Sequence, residues 1–367
     1  MGSSLGDNAW VDRMSALAAR VDDALARGLG SAAAVSIGDR GIEVERLIRG
    51  TVRRLPELGP RIDDGSWFDL ASITKPMATA AIAMVLAAEG RLDLAAPVRR
   101  YLPAASTTGT VLQLLGHAAG CVAHVEFFRS LKLGVAGDPR AALLDMAMRE
   151  PAKPPGVETI YSDLGYIQLG AVLERASGSS LEDAFAELVA QPLGLIARYP
   201  AATPLVGAVT TELDDRGAVT GRVHDENAYF GGGVCGHAGL FARLGDVASF
   251  AQAIVQTAAG VPRGRLVPAV VNQFLTASAA PSTSWRLGWD TPSAIPGVSH
   301  AGDRWPRAGA VGHLGFTGTS LWLDLSRQRW VALLTNRVHP TRIDTAEPIK
   351  ALRRDVGDAV VAMLDGD

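Results

Sequence analysis

Ser72-Ile73-Thr74-Lys75, followed at once by Pro76 and an apolar run over 77–88, is where the chain says most about itself. A hydroxyl and an amine three residues apart share one face of a helix and can reach each other. Proline inside a helix costs roughly 3 kcal/mol unless it occupies the first turn, so Pro76 sets the helix start close to Ser72. The serine then lies at the positive end of the helix dipole, where developing negative charge is favoured. That is a nucleophile with a potential base beside it. Lysine is scarce: Lys75, Lys132, Lys153 and Lys350 are the only four, and no other Ser-x-x-Lys occurs. By itself the tetrapeptide reads first as a serine capping a core helix beside a surface lysine, so the rest of the chain has to decide.

Outward from this helix, Trp10, Met14, Leu17, Val21 and Leu25 form one helical stripe, ended by Gly28 and Gly30. Ile349, Leu352, Val356, Val360 and Met363 form another near the opposite end. Stretches 32–37 and 42–48 flank the turn Gly38-Asp39-Arg40-Gly41, and 319–324 and 330–335 flank Ser326-Arg327-Gln328, so both read as strand hairpins. The middle is mostly helical, most clearly over 164–176 and 181–189. These elements predict an α+β fold, an antiparallel β-sheet flanked by the N- and C-terminal helices on one face, with an inserted all-α lobe. Residues 1–100 and 281–367 of a single domain supply the sheet lobe, and 101–280 the mainly helical lobe. The cleft between lobes is the expected site.

Apolar residues at 48% and charged residues at 20% describe an ordinary globular composition, and a net charge of -3 leaves no footprint for nucleic acid. The apolar run over 77–88 falls short of the roughly 18 residues of a membrane span. No basic-then-apolar leader opens the sequence, so the expectation is a cytoplasmic protein with no membrane partner. Cys121 and Cys235 read as reduced core residues. His117, His124, His224, His237 and His313 show no His-Glu-x-x-His spacing, so neither metal nor cofactor is expected. His117 and His237 read as bonding backbone in structured turns, and Trp285 and Trp289 as core or cleft wall.

Two further segments change the weight of Ser72 and Lys75. Tyr161-Ser162-Asp163 puts a phenol, a hydroxyl and a carboxylate just before a helix, where a helix cap alone would also account for them. Gly312-His313-Leu314-Gly315-Phe316-Thr317-Gly318 leads into a strand, with glycines that permit close approach of backbone to a ligand. In this order the three segments resemble the serine β-lactamase and penicillin-binding-protein superfamily. The branch is that of class C β-lactamases and the related esterases and D-aminopeptidase-like hydrolases. Its pattern is Ser-x-x-Lys, then Tyr-x-Asn, then Lys-Thr-Gly or His-x-Gly on a strand lining the cleft. Leu114-Leu115-Gly116-His117-Ala118-Ala119-Gly120 and Gly236-His237-Ala238-Gly239-Leu240-Phe241 also look like family segments.

The resemblance implies the fold derived above and a set of roles. Ser72 is acylated, Lys75 and Tyr161 are the candidate bases, and the backbone N–H groups of Ser72 and Phe316 form the oxyanion hole. Asp163, His313 and Gly315 meet the substrate, His313 beside an oxygen or carboxylate. Two departures bear on the substrate. Asp163 replaces the usual asparagine and cannot donate a hydrogen bond when ionised; it is placed to pair with Lys75 and hold that amine charged. His313 replaces a lysine, exchanging a fixed charge for a ring largely neutral at pH 7. Both favour an esterase-like hydrolase of small esters or amides. The alternatives are a class C-type β-lactamase, a D-alanyl carboxypeptidase or aminopeptidase, or a non-catalytic binding protein on the same fold.

Overall fold

The computed structural model describes residues 4–200 and 203–366. Its helices include α1 (Ser4–Ala26), α2 (Ala81–Ala88), α3 (Asp163–Ser177), α4 (Leu244–Ala258) and α5 (Ala346–Asp365). Five strands, β1 (Ala32–Asp39), β2 (Ile42–Gly50), β3 (Ala310–Leu314), β4 (Ser320–Asp324) and β5 (Arg329–Thr335), form one antiparallel sheet in the order β2-β1-β5-β4-β3. Both expected hairpins are present. They are joined by β1 pairing with β5, from Ala33 opposite Thr335 to Gly38 opposite Trp330.

β1 is buried along almost its whole length, because both sheet faces are covered. On one face α1 and α5 pack together, and Leu17 and Val21 join Val356 and Val360 in a core with Val35, Ile37, Val331 and Leu333. That is the packing expected of the terminal helices. The other face is covered by α4, which comes from the 101–280 segment and packs on β1, β4 and β5.

Two hairpin-like pairings were not legible in the sequence. Thr210–Asp214 pairs with Gly217–Thr220 in the otherwise helical middle. Phe68–Asp69 pairs with Phe241–Ala242 and so anchors the approach to Ser72 against the helical segment. β3 also went unread, since Gly312 interrupts its pattern. The glycine is there because a Cβ would fall 2.1 Å from the Trp322 ring on β4.

The helical run around Ser72 begins as a 3-10 turn (Ala71–Ile73), widens to a π-helix (Lys75–Ala80) and continues as α2. Pro76 lies in its opening turn, as expected. The run over Ala71–Ala88 is longer than the apolar stretch read in the sequence, with a mean hydropathy of 1.4. It has the length and composition to cross a membrane, yet 83% of it is buried inside the protein. It is the central core helix, and Ser72 is a half-buried residue of its opening turn.

Candidate active site

The chain reaches Ser72 through a strained residue. Ala71 has φ 48°, in the left-handed region, and its N–H is held by the Asp69 carboxylate at 2.8 Å. Asp69 is buried and also accepts the His224 N–H at 2.7 Å. The residue before the nucleophile is thus fixed by a carboxylate from the short Phe68–Asp69 strand.

Ser72, Lys75 and Tyr161 converge. Lys75 Nζ lies 3.0 Å from Ser72 Oγ, and the Tyr161 hydroxyl donates to the same Oγ at 2.7 Å. Tyr161 is placed there by the start of α3. Ser162 caps that helix, accepting from the Gly165 N–H at 2.9 Å, and its own N–H is taken by His117 Nδ1 at 3.1 Å. Asp163, in the first turn, meets Lys75 Nζ at 2.8 Å. One tripeptide therefore does both things read in it, capping a helix and delivering two functional groups. The Lys75 side chain has no exposed surface, and its third hydrogen goes to the His237 carbonyl at 3.0 Å.

These distances fix the resting charges. Burial alone would depress the Lys75 amine, but the Asp163 carboxylate and Tyr161 overcome it and hold the ammonium above its ordinary range. Burial pulls Asp163 the other way, yet Lys75 and His124 keep it ionised, well below the usual carboxylate range. Tyr161 is pushed up by burial, which outweighs the nearby ammonium. Both neighbours of Ser72 Oγ are accordingly donors at rest. The pairing of Asp163 with Lys75 is the one its sequence position foreshadowed.

The wall opposite is the loop after β3. Thr317 Oγ1 donates to the Asp69 carbonyl at 2.8 Å and Thr319 Oγ1 to the Leu70 carbonyl at 3.0 Å, tying this loop to the segment that carries Ser72. Gly315 is required by that contact: a Cβ would fall 2.0 Å from Thr319 Oγ1 and 2.4 Å from the Leu70 carbonyl oxygen. The close approach that its glycines were expected to offer a ligand is, at Gly315, an approach to the protein's own chain. The backbone groups of Gly315 are also occupied, its N–H by Thr319 and its carbonyl by Arg353. Phe316 follows, outside any strand, and its N–H takes no backbone partner among the described residues.

His313 lines the cleft but not as a donor. Its Nδ1 lies 2.8 Å from the Leu314 carbonyl, which can only accept, so Nδ1 carries the hydrogen and Nε2 presents a lone pair. Nε2 is buried without a partner. Burial and the Lys75 ammonium push this ring down to about 3, so it stays neutral. The expectation that His313 holds a substrate carboxylate meets this obstacle: the ring offers an acceptor where a carboxylate needs a donor.

Ser72, Tyr161, Asp163, His313, Gly315 and Phe316 all border one cleft of about 560 Å³. Lys75 sits just beneath it. The sequence reading passed over several neighbours. His124 reaches Asp163 Oδ2 at 3.3 Å, and this bond raises its ring pKa. Trp285, read as core or cleft wall, lies with its ring 5.2 Å from that of Tyr161, and His117 closes the cluster at 4.8 Å. His237 departs from its reading: its ring pairs with the Asp225 carboxylate at 2.9 Å rather than with backbone. Arg337, Arg342 and Arg353 also line the cleft.

A model of the family described as Beta-lactamase matches residues 17–354. A protein of Escherichia coli (strain K12) named "Putative D-alanyl-D-alanine carboxypeptidase" is 28% identical over 313 residues, 75% of this chain and 70% of that protein. Among solved structures, EstCE1, titled a hydrolase with promiscuous acyltransferase activity, superposes with a TM-score of 0.73 at 23% identity over 98% of this chain and all of that one (100%). Simvastatin synthase (LovD) from Aspergillus terreus gives a TM-score of 0.74 at 17% identity, covering 95% and 98%. At such identities the two structures establish the fold.

Proposed function

The chain belongs to the beta-lactamase family of serine hydrolases, and from that premise we propose that it cleaves small esters or amides through an acyl-enzyme on Ser72. The observation that carries this reading is the contact of Ser72 Oγ with both Lys75 Nζ (3.0 Å) and the Tyr161 hydroxyl (2.7 Å).

In the proposed cycle Tyr161, protonated at rest, first loses its proton to solvent, and as phenolate it then takes the Ser72 proton while Oγ attacks the carbonyl carbon. Lys75 stays an ammonium beside Asp163 and stabilises that phenolate. The tetrahedral oxyanion is held by the N–H groups of Ser72 and Phe316. As the intermediate collapses, Tyr161 returns its proton to the departing alkoxide or amine. A water then repeats the sequence on the acyl-serine, releasing the acid. The preference for esters over β-lactams is supported by two donors that are missing. Asp163 is ionised and cannot hold an acylamino carbonyl, and His313 offers only a lone pair.

The test is release of p-nitrophenol from short acyl esters. The expected result is measurable turnover that Ser72→Ala reduces to the uncatalysed rate, with labelling of Ser72 by a fluorophosphonate. Retained turnover in Ser72→Ala removes the mechanism. Nitrocefin cleavage or D-alanine release outpacing ester cleavage moves the assignment to the lactamase or carboxypeptidase alternative.

A further inference from the structure

A cysteine and a histidine that the cycle above does not use stand two residues apart in Cys235-Gly236-His237. Three consecutive carbonyls of this segment accept side-chain donors: Cys235 from the Tyr199 hydroxyl at 3.3 Å, Gly236 from Thr79 Oγ1 at 2.6 Å and His237 from Lys75 Nζ at 3.0 Å. The segment also lies tight against α3, where a Cβ on Gly236 would fall 2.2 Å from the Tyr166 carbonyl oxygen. Cys235 lines a second cavity of about 320 Å³, walled by Leu143, Ile167 and Leu181 and rimmed by the exposed Asp138 and Arg175. That cavity shares no lining residue with the Ser72 cleft.

The His237 ring faces both ways. It is 1% exposed, and its Nε2 lies 2.9 Å from Oδ1 of Asp225, which borders the Ser72 cleft. Its Nδ1 is buried and finds no nitrogen or oxygen partner among the described residues. A buried ring nitrogen of this kind calls for a partner, and the Cys235 thiol is the side chain that acts on it. Burial alone would lower the ring, but the thiol and the Asp225 carboxylate overcome it and hold it protonated well above its ordinary range. Asp225 stays ionised, since His237 outweighs the burial that would raise it. Asp163, His124 and Lys75 are the other charged or titratable neighbours of this pair. On the second cavity, Arg140 adds a guanidinium, itself paired with Glu174 at 2.5 Å and Glu182 at 3.2 Å. Imidazolium and guanidinium together favour a thiolate, the form of cysteine that reacts. Cys121 has no such setting: its Sγ meets Gln168 Nε2 at 3.7 Å, and burial pushes its thiol up to about 11.

We propose that Cys235 is a modification site, a reactive thiol that exchanges with small disulfides in the second cavity and thereby disables the Ser72 cleft. The Cys235 thiolate attacks one sulfur of the disulfide, the new S–S bond forms as the old one breaks, and the other half leaves as a thiolate. The attached group cannot be relieved toward α3, because Gly236 is already in contact there. The segment moves instead at its other contact, and the His237 carbonyl leaves the Lys75 ammonium. The effect on the cleft rests on the acyl-hydrolase reading above; the thiol chemistry does not.

The test is labelling of the folded protein with 2,2′-dithiodipyridine, followed by the release of 2-thiopyridone and located by peptide mass. Label should fall on Cys235 and not on Cys121, and Cys235→Ser should remain unlabelled. The rate should change by less than about threefold between pH 6 and 8, whereas an ordinary thiol slows roughly tenfold per unit below its pKa of about 8.5. Ester turnover should fall at least tenfold as label is incorporated, return with dithiothreitol, and persist in Cys235→Ser treated with the reagent. A rate with the slope of an ordinary thiol overturns the site. Equal labelling of Cys121 does so too, because unfolding rather than the cavity then exposes both thiols. Undiminished turnover in fully labelled protein overturns the link to Ser72. A protein that takes the label on Cys235 with the flat pH profile, yet cleaves no ester, upholds the thiol site and removes the hydrolase reading instead.

Discussion

Two donors converge on Ser72 Oγ, and the charge on Asp163 bears on when Tyr161 turns into an acceptor. That carboxylate raises both the Lys75 ammonium and the Tyr161 phenol. Removing it must lower both, whichever group accepts the Ser72 proton. Asp163→Asn is therefore expected to move the ascending limb of the kcat/KM profile for ester hydrolysis to lower pH. A limb that stays in place or moves to higher pH would show that Asp163 does not control the base. The wild-type profile should rise toward alkaline pH, because the acceptor is protonated at rest. Ser72, Lys75 and Tyr161 were legible because their chemistry is written in local spacing and in order along the chain. His124 was not, since nothing near it in sequence points to Asp163; the chain path alone brings them together. Arg353 carried a signal that went unread, a guanidinium at a position where the stripe of α5 calls for an apolar side chain.

At the scale of elements, catalysis requires that the Phe68–Asp69 strand and the loop after β3 be held in register. Thr317 and Thr319 do this with two side-chain bonds onto consecutive carbonyls of residues 69 and 70. Thr317→Val keeps the shape and deletes one bond, leaving a buried carbonyl unpaired at a cost of about 1–3 kcal/mol. If the Phe316 N–H shifts with the loop, kcat for ester hydrolysis falls about tenfold while KM changes little. Wild-type kcat in Thr317→Val would mean that the loop is positioned by other contacts. The strands that pack on both faces around good turns were read correctly from sequence. β3 was not, because its central Gly312 answers to the Trp322 ring on the neighbouring strand, a tertiary requirement. The Thr210–Asp214 hairpin was hidden by its charged residues, although Asp215-Arg216-Gly217 marks its turn.

For the molecule as a whole, the site stands on one sheet face pattern while the terminal helices cover the other. Leu17, on α1, is buried against the sheet in the core that α1 shares with α5. Leu17→Ala should cost about 2–5 kcal/mol, read as a lower denaturant midpoint. The pH profile of the folded enzyme should not change. A shifted profile would show that the helical layer and the cleft are coupled. The fold class was legible because both ends of the sequence supply a helix and a hairpin, which a single sheet can unite.

The pairing of Ala33 with Thr335 has a consequence for biosynthesis. During translation the first hairpin leaves the ribosome long before its central partner exists. At roughly 5–20 residues per second that interval is on the order of 15–60 s. Throughout it, a smooth alanine-rich edge stands bare. The nascent polypeptide is therefore most vulnerable to self-association while its last strand is still unmade, so a holdase chaperone should raise the yield of folded protein far more when supplied during synthesis than afterwards.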